Sequence, residues 1–140
     1  MNRYRIVLDI NGLLVCIPGR SPFRSIFDKF LAKEFDLLLS NEILSEYLEK
    51  LEEKASIDVA NNIAEVLISA ENVERVNIYF NWNLIAQDPD DNKYVDCAVA
   101  GNATWIVSND KHFNMLKSIV FPKIEVLKIE NFLAVLLAQE

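Results

Sequence analysis

Short apolar, β-branched runs alternate along this chain with longer stretches whose apolar positions recur every three or four residues. Arg5-Ile6-Val7-Leu8-Asp9-Ile10 is the first such run. It reads as a buried strand whose C-terminal edge carries Asp9 and Asn11, with Asn11-Gly12 as a turn. Ser21-Pro22 opens a predicted helix in which Phe23, Ile26, Phe27, Phe30 and Leu31 fall at helical spacing. Asp36-Leu37-Leu38-Leu39 is a second strand, followed by Ser40 as the N-cap of a helix. Ile43, Leu44, Tyr47, Leu48 and Leu51 form its apolar stripe, with Glu46 at the border. Residues 58–70 give another helix, with Val59, Ile63, Val66 and Leu67 apolar. Residues 77–84 alternate instead, setting Ile78, Phe80, Trp82 and Leu84 against Asn and Tyr, which predicts an extended, half-exposed segment. Asp90 or Asp91 then caps a helix running to about Gly101, with Val95, Ala98 and Val99 inward. A strand at 104–108 ended by Asn109-Asp110, a short helix at 111–117, a strand at 124–127 and a helix from Glu130 complete the pattern.

Strands alternating with helices pair in parallel, so the expected fold is α/β: a single domain over residues 1–140, built as a three-layer α/β/α sandwich around a central, mostly parallel sheet. Chemistry in such sheets sits beyond the C-terminal strand ends, near the switch in strand order. Asp9, Asn11 and Asp110 follow two of the predicted strands. Composition narrows the class: 140 residues, 51% of them hydrophobic, exclude disorder, and 3 Gly and 4 Pro leave no long linker. Asp9 interrupts the opening apolar run, which is too short to cross a membrane, and no cleavage site precedes it. Two cysteines, Cys16 and Cys97, make no disulfide framework, so the expected compartment is a reducing cytoplasm. The net charge of -7 is opposite in sign to that of a protein gripping nucleic acid by phosphate neutralisation alone. Divalent metal held by some of the 21 acids reverses that logic locally.

Asp9, Glu46, Asp91 and Asp110 each have a reason to point into one cleft. Singly, each also has a structural role to fill: Asp9 in a turn, Glu46 on a solvated face, Asp91 at a helix cap. Together, carboxylates without basic partners raise one another's pKa, and Mg²⁺ or Mn²⁺ relieves the conflict. Such an ion polarises a phosphoryl oxygen and activates water, which points to phosphodiester hydrolysis. Cys16 and Cys97 have no neighbouring histidine to support thiol catalysis, and the single His112 leaves zinc without a ligand set. His112 is expected to cap or pack beside the loop after Asp110.

Four blocks carry a resemblance: Leu8-Asp9-Ile10-Asn11-Gly12-Leu13-Leu14, Ser40-Asn41-Glu42-Ile43-Leu44-Ser45-Glu46-Tyr47, Asp88-Pro89-Asp90-Asp91-Asn92, and Ile106-Val107-Ser108-Asn109-Asp110-Lys111-His112-Phe113. In order and spacing they resemble the signature blocks of PIN-domain proteins, in particular bacterial toxins of toxin–antitoxin systems of the VapC ribonuclease type. The resemblance implies that Asp9, Glu46, Asp91 and Asp110 are catalytic, metal-binding acids. It adds Asp96 as a further metal ligand acting through water, and Asn11 and Ser108 as substrate contacts, while Asp88 shapes the loop; Lys111, a basic residue beside Asp110, is a further candidate for contact with the RNA. It further implies Mg²⁺ or Mn²⁺ as cofactor, RNA as substrate, a cognate antitoxin, a homodimer and a cytoplasmic location without membrane contact. Ile10 and Asn109 depart from the family's usual residues, which bears on substrate preference. Trp82 is a candidate for stacking on bases, Arg20, Arg24 and Lys93 for lining the RNA path, and Trp105 for the core. Phe132, Leu133, Val135, Leu136 and Leu137 cover more than one face of the last helix, the basis for expecting a second subunit or an antitoxin segment there.

Other readings fit less of the sequence. Asp9-Ile10-Asn11-Gly12-Leu13-Leu14 resembles the opening of haloacid-dehalogenase phosphatases, but Asn11 cannot serve as their general acid. A phosphoacceptor receiver domain lacks its acidic pair and its lysine. A catalytically inactive PIN-like scaffold that binds RNA or protein is the remaining alternative.

Overall fold

The computed structural model describes residues 3–139. Its centre is a five-stranded, all-parallel sheet in the order β3-β2-β1-β4-β5. The strands are β1 (Arg5–Leu8), β2 (Asp36–Leu39), β3 (Val73–Arg75), β4 (Trp105–Val107) and β5 (Val126–Leu127). The helices are α1 (Ile10–Cys16), α2 (Arg24–Leu31), α3 (Asn41–Lys54), α4 (Ile57–Ser69), α5 (Asn92–Ala100) and α6 (Ile129–Ala138). Two 3-10 segments, Pro89–Asp91 and Lys111–Ser118, complete the set. This is the expected α/β sandwich.

The three central strands are buried because their side chains meet helices on both faces of the sheet. Ile6, Val7, Leu37, Leu38, Leu39, Ile106 and Val107 are at most 3% exposed. That explains why the strands read as continuous apolar runs without alternation. Ser40 caps α3, its Oγ accepting the Ile43 N–H at 3.3 Å, and Ser56 caps α4 in the same way at 3.1 Å. Each such cap is worth about 1 kcal/mol. Ile43, Tyr47 and Leu51 are the buried stripe of α3, as the spacing predicts. Of the five apolar residues marked on α6, Phe132 and Leu136 are buried and only Leu137 is exposed. The chain's own core therefore absorbs most of that surplus. Phe132 makes ring contacts with Phe35 and Trp105.

The structure corrects the sequence reading in three places. Asn11-Gly12 is the first turn of α1, with Asp9 as its N-cap. β3 was not expected. Its three residues are partly exposed, and the chain enters it through Asn72, a buried side chain that donates to the Phe30 and Phe35 carbonyls at 2.9 and 2.8 Å. Residues 77–84 join no ladder; Phe80, on the apolar side of the alternation, is exposed, and Asn83 sits at positive φ.

The order of strands fixes where chemistry belongs. From β1 the chain proceeds outward through β2 and β3, then returns to place β4 on the other side of β1. β1 and β4 therefore flank the topological switch point, with Leu8 in register with Val107. Asp9 and Ser108 are the next residues off these two strands.

Candidate active site

Asp9 leaves β1 with its carboxylate turned back under the chain. Its Oδ1 accepts the Gly12 N–H at 2.8 Å and its Oδ2 accepts the Ser108 hydroxyl at 2.7 Å, and the residue is 4% exposed. A Cβ at Gly12 would lie 2.7 Å from Leu8 Cδ1 and 2.9 Å from Asp9 Oδ1, so any larger residue must displace these side chains. The Ser108 Oγ also accepts the Asp110 N–H at 3.0 Å. One hydroxyl thus ties the ends of β1 and β4 together. Asp110 caps the following 3-10 segment, its Oδ1 accepting the His112 N–H at 2.9 Å. Asp9, Asn11, Gly12, Asn109 and Asp110 line a cleft of about 260 Å³, with Val15 and Ile129 as its apolar wall. Asn109 Oδ1 holds the Ile129 N–H at 2.9 Å, joining this loop to the start of α6.

The third acid arrives from another element. Asp88 caps the turn Pro89–Asp91 through the Asp90 N–H, so neither Asp90 nor Asp91 serves as the side-chain cap expected from the sequence. Asp91 is left with its carboxylate against Asp110 and His112. His112 Nδ1 lies 3.4 Å from Asp91 Oδ2 and 3.3 Å from Asp110 Oδ1. Burial, then the charges of Asp88 and Asp110, push the Asp91 carboxyl up to about 6, against the opposing pull of His112. Burial also raises Asp9; Ser108 and Gly12 oppose the rise, and Asp110 and Glu46 add to it. The cluster therefore carries more negative charge than its own side chains balance.

Glu46, on α3, is held differently. The Tyr94 hydroxyl donates to its Oε1, and Lys93 Nζ lies 2.9 Å from its Oε2. Lys93 also pairs with Asp90 at 3.2 Å and lies over the Tyr94 ring. Burial opposes the charge on Lys93, but these acids win and raise its pKa. Tyr94 accepts the Ile10 N–H at 3.1 Å, so α5 braces both α1 and Glu46. Glu46 opens onto a groove of about 420 Å³ shared with Glu42, Ser45, Asp90 and Lys93, and meets Asp9 through its field.

The structure thus gathers Asp9, Asp91 and Asp110, with Glu46 alongside, and gives two other expected residues, Asp96 and Ser108, different partners from those expected. Asp96 is 5% exposed and accepts the Trp82 N–H at 2.9 Å; its charged neighbour is Glu42. It anchors the 77–84 segment to α5 through the Trp82 backbone. Asn92 does the same for Ile85, pairing with both its N–H and its carbonyl. Ser108, expected to touch substrate, is 2% exposed with its hydroxyl committed to Asp9 and Asp110, so it positions these acids instead. Asn11 and Lys111 are exposed beside the cleft. Of the other basic candidates, Arg24 is taken up by Asp28 and the Ile17 carbonyl, and Lys93 by Glu46. Burial pushes the thiols of Cys16 and Cys97 up to about 12, which removes them from nucleophilic chemistry at neutral pH. Sequence reasoning missed Tyr94 as the brace of Glu46. The available signal was a hydroxyl on a ring at an inward position of the helix, where a phenylalanine would serve packing alone.

A parallel sheet in this order, with an acid cluster at its switch point, defines a class of open α/β domain with a carboxylate-lined cleft. Residues 5–112 match the family model described as the PIN domain, so the chain belongs to the PIN-domain family. Solved structures agree on the fold. VapBC2 from Rickettsia felis, bound to a promoter DNA fragment, superposes with a TM-score of 0.61 at 15% identity, over 89% of this chain and 98% of that one. The Mycobacterium tuberculosis toxin VapC20, which cleaves the sarcin–ricin loop, gives 0.55 at 15% identity, over 82% and 96%. The PIN-domain endonuclease Utp24 gives 0.53 at 20% identity, over 89% and 84%. No curated protein matches the sequence.

Proposed function

We propose that this chain is a metal-dependent endoribonuclease that hydrolyses phosphodiester bonds, and that it serves as the toxin of a toxin–antitoxin pair. The observation that carries the reading is the group of Asp9, Asp91 and Asp110, three acids facing the single imidazole of His112, at the switch point of a PIN fold. Their donor set suits a hard divalent cation: carboxylate oxygens, two of them on residues whose pKa is raised, and a buried Asp91 Oδ2 with no hydrogen-bond partner. Asp9, Asp91 and Asp110 would hold Mg²⁺ or Mn²⁺, with Glu46 contributing charge. The bound ion supplies positive charge to the phosphoryl oxygens and lowers the pKa of the attacking water. The chain's own contribution is position. Gly12 and Ser108 fix both oxygens of Asp9, and Asp110 is fixed by its cap. The exposed Asn11 and Lys111 offer an amide and a positive charge to a phosphate entering the cleft.

RNA as substrate and an antitoxin as partner follow from the VapC and VapBC neighbours, and the net charge of -7 agrees with binding that depends on metal. A homodimer belongs to the same reading, with Leu137, 46% exposed on α6, as part of its contact. The cytoplasmic assignment rests on the two free cysteines; among the described residues no helix is long and apolar enough to cross a membrane. One observation favours the inactive scaffold as a second reading: Glu46 already has a cation in Lys93. Incubating the purified protein with a mixed RNA pool, with Mg²⁺ or Mn²⁺ and with EDTA, separates the two. Cutting only in the presence of metal supports the nuclease, whereas RNA retained intact on the protein supports the scaffold.

A further inference from the structure

His112 is the side chain that the expected acid set leaves unexplained. Two capped turns deliver it to the cluster. Asp110 caps its own 3-10 segment and fixes the His112 backbone, while Asp88 spends Oδ1 on capping the facing turn and keeps Oδ2 for the site. His112 Nδ1 is 3.3 Å from Asp110 Oδ1, 3.4 Å from Asp91 Oδ2 and 3.8 Å from Asp88 Oδ2. Nδ1 and Asp91 Oδ2 are both shielded from solvent, and neither has a hydrogen-bond partner among the described residues. Two arrangements balance these carboxylates: a protonated imidazole paired with them, or a neutral imidazole sharing a cation with them. Ligand atoms of Asp88, Asp91 and His112 fall within 4.8 Å of one another. Around an ion with bonds of about 2.1 Å, neighbouring ligands are about 3.0 Å apart in an octahedron and about 3.4 Å apart in a tetrahedron. The distances from Nδ1 to Asp110 and Asp91, 3.3 and 3.4 Å, fall in that range, and that to Asp88, 3.8 Å, lies just above it.

Imidazole nitrogen distinguishes among metals where carboxylates do not. Mg²⁺ takes oxygen ligands and keeps its waters, whereas a nitrogen donor suits first-row transition ions. We propose that His112 Nδ1 is a direct ligand of the divalent ion, together with Asp91 and Asp88, and that this nitrogen makes the centre select Mn²⁺ over Mg²⁺. The inference rests on the metal-dependent reading above and adds a ligand, an element of selectivity and a role for Asp88.

The test is pulsed EPR on the protein loaded with Mn²⁺, which detects nuclear modulation from a coordinated nitrogen, with calorimetric titration of Mn²⁺ and Mg²⁺ alongside. The wild-type protein is expected to show nitrogen modulation and His112→Gln to lose it while keeping its circular dichroism. Loss of outer-shell partners alone weakens metal binding about 10- to 100-fold, so Mn²⁺ affinity should fall at least about tenfold in this variant, with Mg²⁺ affected less. The wild-type spectrum decides the ligand even if His112→Gln fails to fold. Bound Mn²⁺ without nitrogen modulation overturns the proposal and leaves the metal-dependent nuclease intact. Unchanged or tighter Mn²⁺ binding by His112→Gln also overturns it, because His112 is then an internal cation balancing the acids. Failure of both ions to bind the wild-type protein overturns this proposal and the metal-dependent reading together.

Discussion

Replacing Asp91 with asparagine should stabilise the metal-free protein, although the substitution removes a residue assigned to the active site. The Asp91 carboxyl is pushed from 3.8 up to about 6, which means that its ionised form is strained in the folded chain and relaxed in the unfolded one. At about 1.4 kcal/mol per pH unit the rise bounds the strain at about 3 kcal/mol, and solvent over the open side of the cluster reduces it to about 1–2 kcal/mol. Between pH 4 and 6, roughly, the folded state holds a proton that the unfolded state has released. Stability therefore falls as pH rises through that window, and the penalty is present in full above it. Asp91→Asn removes the penalty and keeps the shape. In EDTA at pH 7.5 its Tm should exceed wild type by about 3–7 °C, and at pH 4 the gap should close. Excess Mg²⁺ or Mn²⁺ should reverse the order, since only the wild-type site gains the full binding free energy. The reasoning fails if Asp91→Asn is no more stable than wild type in EDTA at pH 7.5, or if the gap is the same at pH 4.

Three further outcomes follow from the same geometry. Gly12→Ala drives a methyl into Leu8 and the Asp9 carboxylate, and should lower RNA cleavage at least about tenfold for a loss of roughly 1–3 kcal/mol in urea unfolding. Ser108→Ala leaves Asp9 Oδ2 and the Asp110 N–H without their shared hydroxyl, and should cost about 1–3 kcal/mol by the same measurement, with cleavage reduced in both metals. Lys93→Met leaves Glu46 without its cation; divalent ions should then bind more tightly by calorimetry while the metal-free Tm falls, and an unchanged metal affinity would show that Glu46 takes no part in the cation's field.

The parts of this molecule that burial dictates were legible in the sequence. β1, β2 and β4 announced themselves because strands covered on both faces must be apolar throughout, and α3 because Ser40 and the Ile43-Tyr47-Leu51 stripe satisfy cap and core at once. β3 was hidden: it is three residues long, half-exposed and defined by pairing to β2, which local pattern does not encode. Asp9, Asp91 and Asp110 were legible by order and resemblance, but their partners were not. Asp88 and Asp91 occupy one polar cluster, and only the cap formed by Asp88 shows which carboxylate is left free. Asp96 and Ser108 lie next to site residues in sequence, yet α5 turns Asp96 toward the Trp82 backbone, and the tie between β1 and β4 buries Ser108. Lys93 reads as a surface lysine until α3 and α5 set Glu46 against it.

The most direct measurement is Mn²⁺- and Mg²⁺-dependent cleavage of RNA by wild-type protein beside the Asp9→Asn and Asp110→Asn variants, each checked for fold by circular dichroism. The account predicts metal-dependent cutting by the wild type, abolished by EDTA and by either substitution, with all three proteins folded. Equal cutting by the folded variants would contradict it, because hydrolysis would then owe nothing to the acids at the switch between β1 and β4.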